Sequence, residues 1–143
     1  MRRAWYGLNQ AFRRRIAHLE LTPDQFTVLR NLREAGRGGL TQSELTERMA
    51  SDPNTIASLV ERMERARLLD RRTDPRDRRA RRLRLAPAGR RRFEAAWDVA
   101  VRLQTEVLSG LVPGDRDRFL GLLETVAAAC SAAADRDDLD VGA

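Results

Sequence analysis

The chain has 143 residues, which suits one domain with a real core and leaves too little for two independent ones. It is 42% hydrophobic and 34% charged, with a net charge of +6, a globular composition that points to an acidic partner, nucleic acid being the commonest. A single Cys excludes an intrachain disulfide framework and a multi-cysteine metal site, and no metal or cofactor is expected.

All 27 basic side chains are Arg, whose planar fork fits phosphate oxygens and guanine edges at any biological pH. The N-terminus "MRRAWYGLNQAF" lacks the apolar run of a signal peptide. No stretch approaches the roughly 18 apolar residues that span a bilayer. The expectation is a cytoplasmic protein with no membrane partner.

Trp5, Leu8, Phe12, Ile16 and Leu19 step by three and four and predict a first helix with an apolar stripe. In "LTPDQFTVLRNLREAG", Thr22 reads as an N-cap, Pro23 as the first helical residue and Gln25 as the second half of a capping box. Phe26, Leu29 and Leu32 form its inner face, and Gly36 supplies the stop. "GRGGL" allows a short extended piece, and "TQSELTERMA" opens a third helix capped by Thr41 with Glu44, with Leu45 and Met49 facing inward. A fourth helix follows within about three residues over 53–68, capped by Asp52 and burying Ile56, Leu59, Val60 and Met63. Two helices joined by so short a turn are a helix-turn-helix.

The stretch "DRRTDPRDRRARRLRLAPAGRRR", residues 70–92, is the most basic part of the chain. "LLDRRTD" and "RRLRLA" each alternate, with a turn at Asp74 and Pro75 between them. A β-hairpin is predicted, Leu83 and Leu85 on one side and Arg82 and Arg84 on the other, with Arg76, Arg78, Arg79 and Arg81 and the lone Asp77 at its tip. From Pro87 a long helix runs to about Leu111, with Phe93, Trp97, Val101 and Leu108 among its apolar positions. "VPGD" breaks it, a last helix carries Phe119, Leu122, Leu123 and Val126, and the acidic tail 136–143 is expected to fray.

The fold class is therefore mainly α with a small β-hairpin. The order of elements resembles the MarR family of bacterial transcription regulators. The residues that carry the likeness are "LTPDQFTVLRNL", "LTQSELTERM", "TIASLVERMERARLLDRR" and "DPRDRRARRLRLAPAGR". They are similar to the family's patterns "LT-x-x-QF-x-VL", "T-x-x-EL", "T-x-x-x-LV-x-R-x-E-x-x-GL-x-x-R" and "D-P-x-D-R-R-x-x-x-x-x-LT-x-x-G". The resemblance implies one MarR-like domain over 1–143, with a winged helix-turn-helix at about 22–86 and dimerisation helices at about 1–20 and 87–135. It implies a homodimer that binds a pseudo-palindromic double-stranded DNA operator, acting as a repressor and released by a small aromatic ligand. Three features depart from the pattern, one being that the segment "HLEL" between the first two helices is about a residue short. Arg67 replaces a Gly, so the fourth helix is expected to end differently or run on, and Ala86 replaces a Thr that would cap the long helix.

Base readout is expected at the start of the fourth helix, from Pro53, Asn54, Thr55 and Ser58, although Asn54 and Thr55, with Asp52, could serve only as caps. Arg62 is either a phosphate contact or the partner of Glu61 or Glu64. The wing, residues 74–82, is expected in the minor groove, whose negative potential draws Arg. Arg78 and Arg79 take the inserting and supporting places by resemblance, with Arg76 and Arg81 beside them and Asp77 holding the loop's shape. Replacing Arg78 and Arg79 together with Ala is expected to remove a large share of operator affinity. Ser43, Gln42, Arg71 and Arg72 are further backbone contacts.

Trp5, Phe12, Phe119, Leu123 and Val126 are the dimer-core candidates, although some of the aromatics could pack within one subunit. Trp5, Tyr6 and His18 are candidate ligand contacts, and Cys130 reads as a small buried hydrophobe. An enzyme is disfavoured, because His18 and Cys130 lie far apart with no catalytic signature around either. The alternative to a regulator is an architectural nucleic-acid-binding protein with little sequence specificity.

Overall fold

The computed structural model describes residues 2–74, 77 and 81–140, without the side chains of residues 131 and 134–140. The helices are α1 (Arg2–Ile16), α2 (Pro23–Ala35), α3 (Gln42–Arg48), α4 (Pro53–Arg65), α5 (Pro87–Val107) and α6 (Pro113–Asp140). The strands are β1 (Leu40–Thr41), β2 (Leu69–Thr73) and β3 (Arg81–Leu85), in the antiparallel order β1-β3-β2. Leu40 faces Leu83, and Leu69 faces Leu85 across the hairpin. Among the described residues no helix is long and apolar enough to cross a membrane.

Both capping boxes form. The Thr22 hydroxyl accepts from the Gln25 N–H, the Thr41 hydroxyl from the Glu44 N–H, and in each case the second side chain returns to the cap's own N–H. Gly36 closes α2 with φ 63°, as a stop residue should.

The ending of α4 differs from expectation. The helix neither runs on to residue 68 nor finds another stop, because Arg67 itself takes the left-handed conformation at φ 56°. The Arg67 N–H donates to Glu64 O and the Leu68 N–H to Met63 O, which satisfies the last carbonyls of the helix. Leu68 and Leu69 are then delivered into the core, and their burial outweighs a local strain of about 1–2 kcal/mol. Ala50 at φ 45° does the same between α3 and α4.

Contacts divide the chain into two compact units, Met1–Leu103 and Gln104–Ala143. In the first, Val28, Leu29 and Leu32 of α2 pack with Leu45 of α3, the inner face of α4, Leu69 and Leu83 of the sheet, and Phe93, Ala96 and Val99 of α5. Each large side chain so buried contributes about 1.5–3 kcal/mol. The start of α5 is set on the carbonyl of Leu68, which accepts from the Ala86 N–H at 3.1 Å. A Cβ at Gly89 would fall 1.9 Å from that oxygen, so only glycine fits there.

Several side chains lie elsewhere than the periodicity suggests. Of the α1 stripe only Ile16 is buried, Phe12 and Leu19 lean on the core, and Trp5 and Leu8 are exposed. Phe12 stands edge-on to Phe26 at 4.9 Å, and Phe26 stacks on Phe93 at 5.5 Å. Phe12 therefore joins the subunit's own aromatic cluster and remains partly exposed. Trp97 and Val101 of α5 are exposed.

In the second unit the long helix gives way at Val107 to a 3-10 turn, Leu108–Gly110, and Arg116 Nε donates to Leu111 O at 2.8 Å across the "VPGD" break. The helix α6 includes residues 136–140 of the acidic segment. Cys130 is exposed, not buried.

Candidate nucleic-acid interface

The inner face of α4 is fixed by Ile56, Leu59, Val60 and Met63, and this sets what the outer face offers. Asn54, Ser58 and Arg62 recur every four residues and form one exposed stripe, with Pro53 and Thr55 exposed beside it. Asp52 accepts from the Thr55 N–H at 2.9 Å, and bonds from the Thr55 hydroxyl and N–H hold its carboxyl below the usual range. The capping duty thus falls on Asp52 and engages the Thr55 backbone. The Asn54 side chain is not the cap.

Arg62 is in neither of the ion pairs weighed for it. Glu61 pairs with Arg65 at 3.0 Å, and Glu64 with Arg71 of β2 at 2.9 Å. The second pair ties Arg71, a candidate backbone contact, to α4 within the protein. Arg72 stays exposed, 3.8 Å from Asp70. Ser43 is exposed in the first turn of α3, with Gln42 half-buried before it.

The base of the hairpin is braced by a group that sequence reasoning missed. Arg82 Nε donates to Asp74 Oδ2 at 2.6 Å, and its Nη1 reaches Gly39 O at 3.1 Å and Glu44 Oε2 at 3.5 Å. Asp74 is 9% exposed and Arg82 28% by side chain, so the pair is shielded from solvent far more than a surface pair. The bond from Asp74 raises the Arg82 pKa further, and the Thr41 N–H, with Arg82, holds Glu44 below its ordinary range. One guanidinium thereby joins the cap of α3, the turn before β1 and both ends of the hairpin loop.

The side of β3 expected to be openly basic is therefore partly closed, with Arg82 and Arg84 half-buried. Asp77, expected to support the wing through a neighbouring Arg, is exposed, and Asp74 is a further, shielded carboxylate at the base of the hairpin. The available signal was register, since Arg82 stands opposite both Thr41 and Arg72 once the hairpin is closed. Arg81 is exposed at the start of β3. Arg76, Arg78 and Arg79 lie outside the described residues.

The candidate ligand contacts are not brought together. Trp5 and Tyr6 meet edge-on at 5.0 Å near the start of α1, both exposed. His18 follows the end of that helix, roughly 20 Å away at 1.5 Å per residue. An aromatic cavity does exist elsewhere, an open hollow of about 380 Å³ between α2 and α5. Phe93 and Trp97 line it, and Arg30 lies over the Trp97 ring at 6.0 Å.

A helix-turn-helix with an outward polar stripe, followed by a braced basic hairpin, defines a winged helix-turn-helix protein of the DNA-binding kind. The model of the MarR family matches residues 19–80. The chain is 29% identical over 126 residues to the transcriptional regulator HosA of Escherichia coli O111:H-, covering 85% of this chain and 92% of that protein. It is similar to the PcaV transcriptional regulator from Streptomyces coelicolor, solved with its natural ligand, at 34% identity and TM-score 0.65, covering 78% of this chain and 77% of that one. It is likewise similar to the transcriptional repressor CouR bound to a 23-mer DNA duplex, at 29% identity and TM-score 0.78, covering 88% of each chain. The chain belongs to the MarR family, and is a DNA-binding transcription regulator of that type.

Proposed function

We propose that this regulator is a cytoplasmic homodimeric repressor that reads a pseudo-palindromic operator, with α4 in the major groove and wing 74–82 in the minor groove. The observation that carries the reading is the α4 stripe. Asn54 and Ser58 stand clear of capping and core, at the end of the helix from which such elements reach bases. Arg62, further along, takes a phosphate. The Arg82 brace supports the wing's part, because it ties the hairpin's base to the turn before β1. Pro53, Thr55, Ser43, Arg72 and Arg81 flank these contacts on exposed positions.

The second copy covers apolar side chains that the chain leaves in solvent. Trp5 is 59% exposed and Phe119 44%, and Leu123 and Val126 are exposed as well. Two-fold symmetry then sets the two α4 helices about 34 Å apart, one turn of DNA. Release by a small aromatic ligand is supported by the hollow at Phe93 and Trp97, and by the ligand bound in PcaV. A ligand acts there by favouring a spacing of the two heads that DNA does not.

The test is selection of bound sites from random duplex DNA at two salt concentrations. The expected result is a two-fold symmetric consensus, with log affinity falling against log salt by about 0.9 per phosphate contact. A pool that stays random, bound with the same salt slope, would mean attraction by charge alone, and the reading would be wrong.

A further inference from the structure

We infer that a second, arginine-lined cavity, where the end of α2, strand β3 and the start of α5 meet, is a binding site for a doubly charged organic anion, either a phosphate monoester or a dicarboxylate. The cavity measures about 440 Å³, within the roughly 300–1,000 Å³ of small-molecule sites. Arg33, Arg37, Arg84 and Arg90 surround it, Leu32 and Leu85 give it apolar wall, and among the described residues no carboxylate lines it.

The charge of this cavity is unbalanced in a way the rest of the sheet is not. Arg82, two residues before Arg84 on β3, spends its guanidinium on Asp74, Gly39 and Glu44. Arg84 Nε is buried and has no hydrogen-bond partner among the described residues. Asp70, opposite Arg84 in register, lies against Arg72 instead, and Glu34, beside Arg33 in sequence, is taken by Arg30 at 2.9 Å. A buried N–H left unpaired costs stability unless something accepts from it. The Arg84 stem is held by close packing. Gly39 has φ 66°, and a Cβ there would lie 2.8 Å from Arg84 Cγ.

Arg90 adds an independent reason for an anion. It is the fourth residue of α5, near the positive end of a 21-residue helix, where a cation is disfavoured and an anion favoured. Four guanidinium groups call for more than one negative charge, and their forks match the paired oxygens of phosphate or carboxylate. The leucine wall accepts an apolar group attached to that anion. Arg33 also borders the aromatic hollow, and the other three arginines do not.

The test follows the Arg84 Nε–Hε resonance of the full chain by NMR during titration with phenylphosphate, with phthalate, and with sodium chloride at matched ionic strength. A saturable shift with one of the two dianions, beyond that given by chloride, is expected, and the stronger of them identifies the headgroup. Arg33→Gln with Arg90→Gln should weaken that binding by about tenfold or more, whereas Arg91→Gln, outside the cavity, should leave it unchanged. A signal that follows ionic strength alone overturns the site, as does an affinity that survives the double substitution in a folded protein. If the double variant does not fold, the wild-type titration against chloride decides alone. No DNA enters the measurement, so its failure is separate from failure of the operator reading.

Discussion

The first unit, Met1–Leu103, and the second, Gln104–Ala143, are both rich in helical apolar spacing, yet they use it differently. In the first, the stripes of α2, α3 and α4 meet each other and the sheet, and Leu29, Leu32, Leu45, Ile56 and Met63 are almost wholly buried. In the second, Phe119, Leu122, Leu123 and Val126 stand exposed on α6. The difference teaches that apolar periodicity states that a face will be covered and leaves open by what. One set closes a core, and the other is the face on which we propose that a second copy of the chain packs.

The sharpest way to break that comparison is to charge the α6 face. Phe119→Asp with Leu123→Asp should remove about 3–6 kcal/mol of burial from self-association, a weakening of about 100-fold or more in sedimentation equilibrium. The amide spectrum of the first unit should persist. Unchanged association would show that α6 is covered by something else. Leu45→Ala strikes the other side of the comparison and should cost about 2–5 kcal/mol, seen as a lower denaturant midpoint.

A smaller change sharpens the account of how α4 ends. Arg67→Gly relieves left-handed strain of about 1–2 kcal/mol and adds back about 0.5–1 kcal/mol of chain entropy, so a net gain of about 0.5–1 kcal/mol is expected in chemical denaturation. A loss of stability there would show that Arg67 makes a contact worth more than its strain. The smallest effect concerns pH. The Glu44 carboxyl is held below its ordinary range by the Thr41 N–H and Arg82, so its contribution is present above that range and is lost as pH falls through it. Glu44→Gln should therefore flatten the acid limb of a pH–stability profile and leave its slope near neutrality unchanged.

Much of the first unit was legible in the sequence because its signals are local. Thr22 with Gln25, Thr41 with Glu44 and Asp52 before Pro53 each act over three residues, and each forms as read, as does the β3 strand itself. What was not legible concerns partners that are distant in the chain. Phe12, a dimer candidate in the sequence, stands edge-on to Phe26, which in turn stacks on Phe93 from another helix. Asp77 was the wing support that the sequence offered, and the register of β1, β2 and β3 adds a second brace, Asp74 with Arg82, that no local signal announced. Trp5, Tyr6 and His18 share a residue chemistry and no common place, since a straight helix keeps its two ends apart. Arg67 shows that a local penalty yields when the next two residues, Leu68 and Leu69, have a core to enter.

The most direct measurement compares binding of the selected operator and a scrambled duplex by wild type and by Asn54→Ala with Ser58→Ala. Both substitutions lie on the exposed stripe and leave the Asp52 cap in place. The ratio between the two duplexes should fall by about tenfold or more, while binding to the scrambled duplex and its salt slope stay as they were. A ratio that survives both substitutions in a folded protein would contradict the assignment of α4 as the element that reads the sequence.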